Sequence, residues 1–238
     1  MPHRQQHRGR HPEDDDLSRP ESYALLRRAV EDLSWLYTRG YSDTAAIKLV
    51  GDRFQLTRRQ RMALQRAACA DHSLAWRKAH EAPPDAMTGA VVSVDGYNLL
   101  ITIEAALSNA LLIRGRDGCI RDLASLHGSY RKVEETLPAL ELIGASFARF
   151  APAEVHWHFD APVSNSGRLR ALMLQMAETR RWPWRVALTQ QVDREIAAAD
   201  TIVITADSAI LNRARRWVNF AATVITHITP PPEILDLA

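Results

Sequence analysis

The chain has 238 residues, a hydrophobic content of 46% and a formal net charge of +2 at pH 7. This length suffices for one large domain with a smaller partner, and the charge balance alone does not indicate a nucleic-acid-binding protein. Two cysteines, Cys69 and Cys119, are too few for a disulfide framework, and the sequence shows neither a membrane-spanning apolar run nor a signal peptide. We therefore expect a soluble cytoplasmic protein without a membrane partner.

The N-terminal third divides into a polar segment and a helical region. Residues 1–20 are nearly devoid of apolar side chains, which predicts a disordered tail. Residues 21–82 carry apolar side chains at helical spacing, with Gly40 between two helices and Thr57 placed to cap a third. Positive charge is concentrated here, because residues 51–80 hold seven Arg and Lys against two Asp. A helix, a turn and an Arg-rich helix together form the outline of a helix-turn-helix.

Two interpretations of these basic helices stay open. In the first, Arg53, Arg58, Arg59 and Arg61 contact the phosphates of a nucleic acid. In the second, the helices form a small bundle whose basic face is solvated. The absence of a base-contacting pattern favours the bundle over the reading of DNA bases, and leaves a sequence-independent contact with RNA or DNA open.

The remaining chain reads as an α/β domain over residues 89–230. Pro83 and Pro84 cannot continue a helix and mark the domain boundary. Strands and helices then alternate, which is typical of a mostly parallel sheet with helices on both faces. Residues 231–238 are expected to form a C-terminal tail. The predicted strands cover residues 90–94, 154–160, 184–188, 201–205 and 222–226, and the predicted helices cover residues 103–113, 121–131, 134–143, 164–181, 192–199 and 208–217.

An aspartate follows each of the first four predicted strands: Asp95, Asp160, Asp193 and Asp207. The carboxyl ends of parallel strands lie on one edge of a sheet, so these carboxylates can converge. Clustered carboxylates repel one another unless a cation neutralises them, and Mg²⁺ and Mn²⁺ prefer oxygen ligands. The joint pattern predicts a metal site suited to phosphodiester hydrolysis. Taken singly, each aspartate could instead cap a helix or stabilise a turn.

Five short segments carry a resemblance to a known group of enzymes. They are residues 94–98, 159–161, 192–196 and 204–208, together with residues 121–123, which are expected to open a helix. In order and approximate spacing, these segments resemble the motifs of the NYN branch of the PIN-domain nucleases, over residues 89–228. The sequence departs from that branch at Arg194, where the branch has a second acid. The whole chain also resembles a family of prokaryotic proteins known only as a domain of unknown function.

The PIN resemblance implies a three-layer α/β/α domain and a metal-dependent endoribonuclease that acts on RNA with Mg²⁺ or Mn²⁺. It also implies a homodimer, because PIN-like domains often dimerise. Asn98 would contact phosphate or support a metal ligand. Ser164, Asn165 and Ser166 could bind phosphate at a helix N-terminus, or a serine there could cap the helix. The residues implied in catalysis and metal binding are Asp95, Asp160, Asp193 and Asp207, with Asp122 as a further metal ligand.

Two other classes of function stay open at this point. One is a PIN-like fold that binds RNA or a partner protein without cleaving it. The other is a DNA-binding regulator that uses the helical N-terminus, with the α/β domain as a ligand-sensing or dimerising body. Fold analogy does not decide among these classes, because one fold hosts many functions.

Overall fold

The computed structural model describes residues 7–124 and 130–238. Its first part is helical, which confirms the predicted N-terminal helical region. Ser42 and Thr57 cap the third and fourth of these helices by accepting hydrogen bonds from backbone N–H groups, as expected for residues of this type at a helix start. The N-terminal helices are α1 (Asp14–Leu17), α2 (Pro20–Thr38), α3 (Asp43–Arg53), α4 (Arg58–Ala67) and α5 (Asp71–His80).

A short 3-10 helix (Pro84–Met87) leads into the α/β part of the chain. The elements that follow are β1 (Val91–Asp95), α6 (Gly96–Leu107), β2 (Leu112–Arg114), β3 (Ile120–Asp122), α7 (Thr136–Phe150), β4 (Glu154–Asp160), α8 (Ser166–Arg180), β5 (Trp184–Thr189), α9 (Val192–Ala198), β6 (Ile202–Ile204), α10 (Ser208–Leu211), α11 (Phe220–Ile225) and β7 (Ile234–Asp236).

The main sheet has four strands in the order β5-β4-β1-β6, and every pair is parallel. β1 is one of the two inner strands. Its apolar side chains are therefore buried, and Val92 and Val94 are both 0% exposed. Val94 pairs in register with Trp157 on one side and with Ile204 on the other. Helices surround this sheet, so the predicted α/β class with a parallel sheet is confirmed. Burial of each large apolar side chain contributes about 1.5–3 kcal/mol.

A second, smaller sheet in the order β3-β2-β7 joins the α/β part to the N-terminal helices. β7 pairs parallel to β2, with Leu235 opposite Ile113, and both side chains are buried in one core with apolar residues of α2 and α4. Leu237, just beyond β7, belongs to the same core and is 1% exposed. The predicted C-terminal tail over residues 231–238 is therefore wrong, because these residues complete a hydrophobic core.

Several predicted elements also differ. The helix predicted over residues 103–113 is α6, which ends at Leu107 before β2 begins at Leu112, and the helix predicted over residues 208–217 ends at Leu211. Residues 222–226, a predicted strand, lie mostly in α11, where Val224 packs beside Phe220 in the main core. Tertiary packing overrides β-propensity there. The helix predicted over residues 121–131 begins instead as strand β3, and its residues 125–129 lie outside the described residues.

The N-terminal segment is ordered from residue 7 onward, so the predicted disorder over residues 1–20 is wrong for that part. Arg8 Nε donates to Glu104 Oε2 at 2.7 Å, and Arg59 Nε donates to Asp14 Oδ1 at 2.7 Å. Leu17 is 0% exposed. Hydropathy could not reveal this order, because a few buried ionic contacts anchor the segment. Residues 1–6 of the predicted tail lie outside the described residues.

Neither cysteine forms a disulfide, as the sequence predicts. Cys69 and Cys119 are both free and buried. Among the helices of residues 7–124 and 130–238, none is both long enough and apolar enough to cross a bilayer.

Candidate active site at the carboxyl edge of the parallel sheet

The four predicted aspartates lie at the carboxyl edge of the main sheet. Asp95 ends β1 and Asp160 ends β4. Asp193 lies in the first turn of α9, just after β5, and Asp207 lies between β6 and α10 as the N-cap of that helix. All four strands are parallel neighbours, so their carboxyl ends face the same way. We call these four residues the acidic edge.

Hydrogen bonds through Thr205 connect two neighbouring members of the acidic edge, Asp95 and Asp207. The hydroxyl of Thr205 donates to Asp95 Oδ2 at 2.9 Å and accepts from the backbone N–H of Asp207 at 2.9 Å. Asp95 Oδ1 accepts from the N–H of Asn98 at 3.4 Å, and Asp207 Oδ1 accepts from the N–H of Ala209 at 2.7 Å. Both carboxylates therefore have fixed orientations before any ligand binds.

Side chains hold both backbone groups of Ala206, the residue before Asp207. The Ala206 N–H donates to Asn98 Oδ1 at 2.7 Å, and the Ala206 carbonyl accepts from Arg121 Nε at 2.8 Å. Asn98 thus supports the loop through its carbonyl oxygen. Within the described residues its Nδ2 donates no hydrogen bond, so this group is available to a ligand.

Burial and mutual repulsion raise the pKa values of Asp95, Asp160 and Asp193. Burial raises the pKa of Asp95 to about 7; the charges of Asp207 and Asp193 add to this effect, and the hydrogen bonds from Thr205 and Asn98 oppose it. Burial, followed by the charge of Asp193, also raises the pKa of Asp160. The pKa of Asp193 is raised by burial and by Asp207, against the opposing charge of Arg213. The carboxylates are therefore close enough to repel one another.

The acidic edge fits a hard divalent cation in its chemistry. All four donors are carboxylates, and within the described residues none forms an ion pair with Lys, Arg or His. In those same residues, however, no three His, Cys, Asp or Glu side chains are clustered closely enough to hold a metal ion as they stand. The donor set therefore suits Mg²⁺ or Mn²⁺, and binding requires the side chains to draw together.

His158 is a further polar group near the acidic edge. It pairs in register with Asp95, which places the two α-carbons about 4.8 Å apart, the usual spacing of neighbouring strands. Burial lowers the pKa of His158, and within the described residues neither ring nitrogen has a hydrogen-bond partner. Glu195 Oε2 lies 3.8 Å from its Nδ1. His158 is therefore a partly buried imidazole on the strand position that pairs with Asp95.

Beneath the Asp207 loop lies a buried ionic cluster that sequence reasoning missed. Asp117 accepts two hydrogen bonds from Arg121, at 2.9 and 2.7 Å, and another from Arg77. Arg77 also donates to Asn212 Oδ1 at 2.8 Å, and Arg121 donates to the Ala206 carbonyl. The cluster connects α5, β3 and the loop of Asp207. Arg77 precedes Asp117 by 40 residues, so no local pattern could have revealed that the two guanidinium groups share this carboxylate.

Two other acids do not join the acidic edge. Asp122, predicted as a further metal ligand, accepts from the Thr102 hydroxyl at 2.9 Å and from the Ala124 N–H at 2.8 Å. These contacts hold it at the end of β3, against α6. Glu104 is 0% exposed, accepts a hydrogen bond from Arg8 and bonds to the hydroxyl of Tyr130. Both acids have structural contacts.

No side chain of the segment Ser164, Asn165 and Ser166 caps α8, and some of its polar groups bond to Tyr130. Asn165 occupies the N-cap position with φ 72° and makes no side-chain cap bond. Its Nδ2 donates instead to the Tyr130 carbonyl at 3.0 Å, and the Ser164 carbonyl accepts from the Tyr130 N–H at 3.1 Å. Ser166 is buried. Neither serine caps the helix, so the capping alternative is wrong.

The four basic residues predicted to contact nucleic acid have different surroundings. Arg59 is largely buried, pairing with Asp14 and donating to the Leu123 carbonyl at 2.7 Å. Arg61 donates to Asp52 Oδ1 at 2.8 Å and to backbone carbonyls. These two guanidinium groups hold the helical region together. Arg53 and Arg58 are exposed and retain access to a ligand.

Fold and site define an α/β protein with an acidic sheet edge and a helical N-terminal region. The family model described as "Domain of unknown function (DUF5616)" matches residues 84–223, and the chain belongs to this family. The model "Protein of unknown function (DUF434)" matches residues 25–80, the helical region. The two matched ranges adjoin at the Pro83–Pro84 turn.

One curated relative and no solved structure are found. The chain is similar to "Uncharacterized protein MJ0935" of Methanocaldococcus jannaschii, at 25% identity over 186 residues, which cover 78% of this chain and 88% of the relative. No solved structure matches significantly. The match of 186 residues is longer than either family range, so it extends into both parts of the chain.

Proposed function

We propose that this protein is a metal-dependent endoribonuclease whose active site is the acidic edge. The observation that carries the proposal is the set of four carboxylates at adjacent parallel strand ends, without cationic partners among the described residues. The motifs that resemble the NYN branch of PIN-domain nucleases supply Asp95, Asp160, Asp193 and Asp207 in the same order. Unpaired carboxylates with raised pKa values are typical of sites that bind a cation.

The residues of the acidic edge would hold Mg²⁺ or Mn²⁺, and such an ion supplies Lewis-acid stabilisation of a phosphodiester and activation of water. The chain's own contribution is orientation. Thr205 and the N–H of Asn98 fix the Asp95 carboxylate, and the N-cap bonds of α10 fix that of Asp207. The free Nδ2 of Asn98 would donate to a phosphate oxygen of the substrate.

The other parts of the proposal concern setting and partners. RNA is the proposed substrate, a homodimer the proposed assembly, and the cytoplasm the proposed location, where two buried free thiols persist without forming disulfides. Arg53 and Arg58 are the exposed basic residues of the helical region that would contact the RNA backbone, or DNA in a regulator.

One observation favours a second candidate, an RNA-binding module without hydrolytic activity. As they stand in the described residues, the carboxylates are too far apart for three of them to share a metal ion. If no cation draws them together, the chain would bind RNA through its exposed basic residues, such as Arg53 and Arg58, without cleaving it.

The test compares cleavage of labelled RNAs by the wild type, Asp95→Asn and Asp207→Asn in Mn²⁺, in Mg²⁺ and in EDTA. Asp200→Asn is the matched control, because Asp200 is exposed and precedes β6 at the opposite end of the strand. We expect metal-dependent cleavage that both test variants lose and the control retains. Calorimetric titration with Mn²⁺ gives an independent readout of the site. Cleavage that survives both substitutions, or no cleavage together with no Mn²⁺ binding, refutes the nuclease proposal.

A further inference from the structure

A cleft of about 370 Å³ beside the acidic edge has no part in the hydrolysis described above. It lies between the segment that begins at Tyr130 and the first turns of α8. Arg131, Lys132 and Arg168 line it together with Leu169 and Leu172. The cleft therefore combines three cations with an apolar surface.

The three cations of the cleft have no carboxylate partner within the described residues. The nearest acids along the chain, Glu134 and Glu135, contact His7 instead. By contrast, Arg180 at the far end of α8 pairs with Glu141 at 2.8 Å. Like charges gathered around a concave surface without counter-ions favour an anionic ligand.

The apolar part of the cleft indicates more than a bare anion. Leu172 is half-buried and offers this surface, whereas Leu169 is only 4% exposed and belongs to the main core behind it. A phosphate alone would contact only the cations and leave this surface unused. A nucleotide has both an anionic phosphate and a flat base that contacts apolar side chains or stacks on a guanidinium group.

The cleft is tied to the acidic edge by the chain itself. After Asp160 a turn closes through the Val163 N–H and the Asp160 carbonyl at 3.2 Å, and Asn165 follows. Asn165 then binds the Tyr130 carbonyl, which fixes the adjoining basic segment on this loop. Five residues span at most about 18 Å, so Asn165 lies within a few nucleotides of Asp160 along a bound strand.

We infer that this cleft is a subsite for a nucleotide flanking the scissile phosphodiester of a single-stranded RNA. Arg131, Lys132 and Arg168 contact its phosphate, and the side chain of Leu172 contacts its base. The inference rests on the proposed function for the identity of the substrate. It goes beyond that proposal because the subsite binds RNA through groups that hold no metal.

The experiment measures binding of fluorescein-labelled hexauridylate by anisotropy, in EDTA and at low salt, so that no cleavage occurs. We expect Lys132→Ala and Arg168→Ala each to weaken binding about five- to tenfold, the loss of one phosphate contact. Arg170→Ala is the matched control, because Arg170 is an exposed arginine of α8 outside the cleft. Its affinity should equal that of the wild type. Leu172→Asp should weaken binding as well, with an unchanged circular dichroism spectrum.

Three results would overturn the subsite: an equal loss in Arg170→Ala, unchanged affinity in both cleft variants, or no binding by the wild type. These outcomes differ from failure of the nuclease proposal. Cleft-dependent binding without cleavage on any RNA would support the subsite and refute the nuclease. Asp95-dependent cleavage with unchanged affinity in the cleft variants would do the opposite.

Discussion

The buried cluster of Arg77, Asp117 and Arg121 yields a prediction about stability. Asp117→Asn keeps the shape of the side chain but removes the charge that faces two guanidinium groups, whose side chains are 2% and 5% exposed. Removing one partner of a buried ion pair costs about 3–5 kcal/mol. For a chain of this size, about 2–4 °C per kcal/mol gives a fall in Tm of roughly 6–20 °C.

The assay is urea unfolding followed by tryptophan fluorescence. Trp217 is a suitable reporter, because its indole N–H donates to the Arg77 carbonyl at 2.8 Å. Asp71→Asn is the matched control, since it removes the exposed partner of Arg116 and should leave the unfolding midpoint unchanged. If Asp117→Asn loses no more stability than this control, the cluster does not stabilise the fold and the reasoning fails.

The same cluster gives a pH dependence with a definite sign. Burial alone would raise the pKa of Asp117, but the charges and hydrogen bonds of Arg121 and Arg77 outweigh it and lower the pKa from 3.8 to about 2. The resulting stabilisation of about 2 kcal/mol is fully present above pH 4 and is lost as the pH falls towards 2. The difference in unfolding free energy between wild type and Asp117→Asn should therefore shrink over that range, and a constant difference would contradict the pKa shift.

Three further substitutions test other contacts, each by urea unfolding. Gly96→Ala should cost about 1–3 kcal/mol, because the added carbon would lie 2.4 Å from the Phe159 ring; unchanged stability would refute this close approach. Arg8→Ala should lower the free energy of unfolding by about 3–5 kcal/mol, because it leaves Glu104 buried without its cation. An unchanged free energy of unfolding would support the predicted disordered tail for residues 7–18. Leu237→Ala should cost about 2–5 kcal/mol by opening a cavity in the core shared with the N-terminal helices, and a loss below 1 kcal/mol would contradict that burial.

The parallel sheet and the positions of its acidic strand ends could be predicted because they depend on local sequence. The short apolar run of β1, which ends at Asp95 and Gly96, favours a buried strand, and alternation in β4 separates Trp157 from His158. The position of each aspartate at the edge of the sheet then follows from the point at which its strand ends. These patterns extend over a few residues and do not depend on the rest of the chain.

The contacts that hold the site could not be predicted, because their partners lie far apart in sequence. The hydroxyl of Thr205 bonds to a carboxylate 110 residues earlier, at Asp95. In the sequence, Asp117 has no feature that distinguishes it from other loop residues, because Arg77 approaches it only in the folded chain. The same reason explains why the predicted tails at both ends of the chain are wrong. Arg8 and Leu237 contact buried residues that are distant in sequence, and local hydropathy does not reveal such contacts.

Strand β7 has a consequence for the order in which the protein can fold during synthesis. Leu235 and Leu237 complete a core whose other members include Leu26 and Leu33 of the first long helix. At about 5–20 residues per second, roughly 10–40 s pass between the synthesis of that helix and that of β7. The helical region leaves the ribosome first but finishes folding last, with an apolar face uncovered in the meantime. Folding of the two halves of the chain is thus completed by one late event, the addition of a strand of three residues.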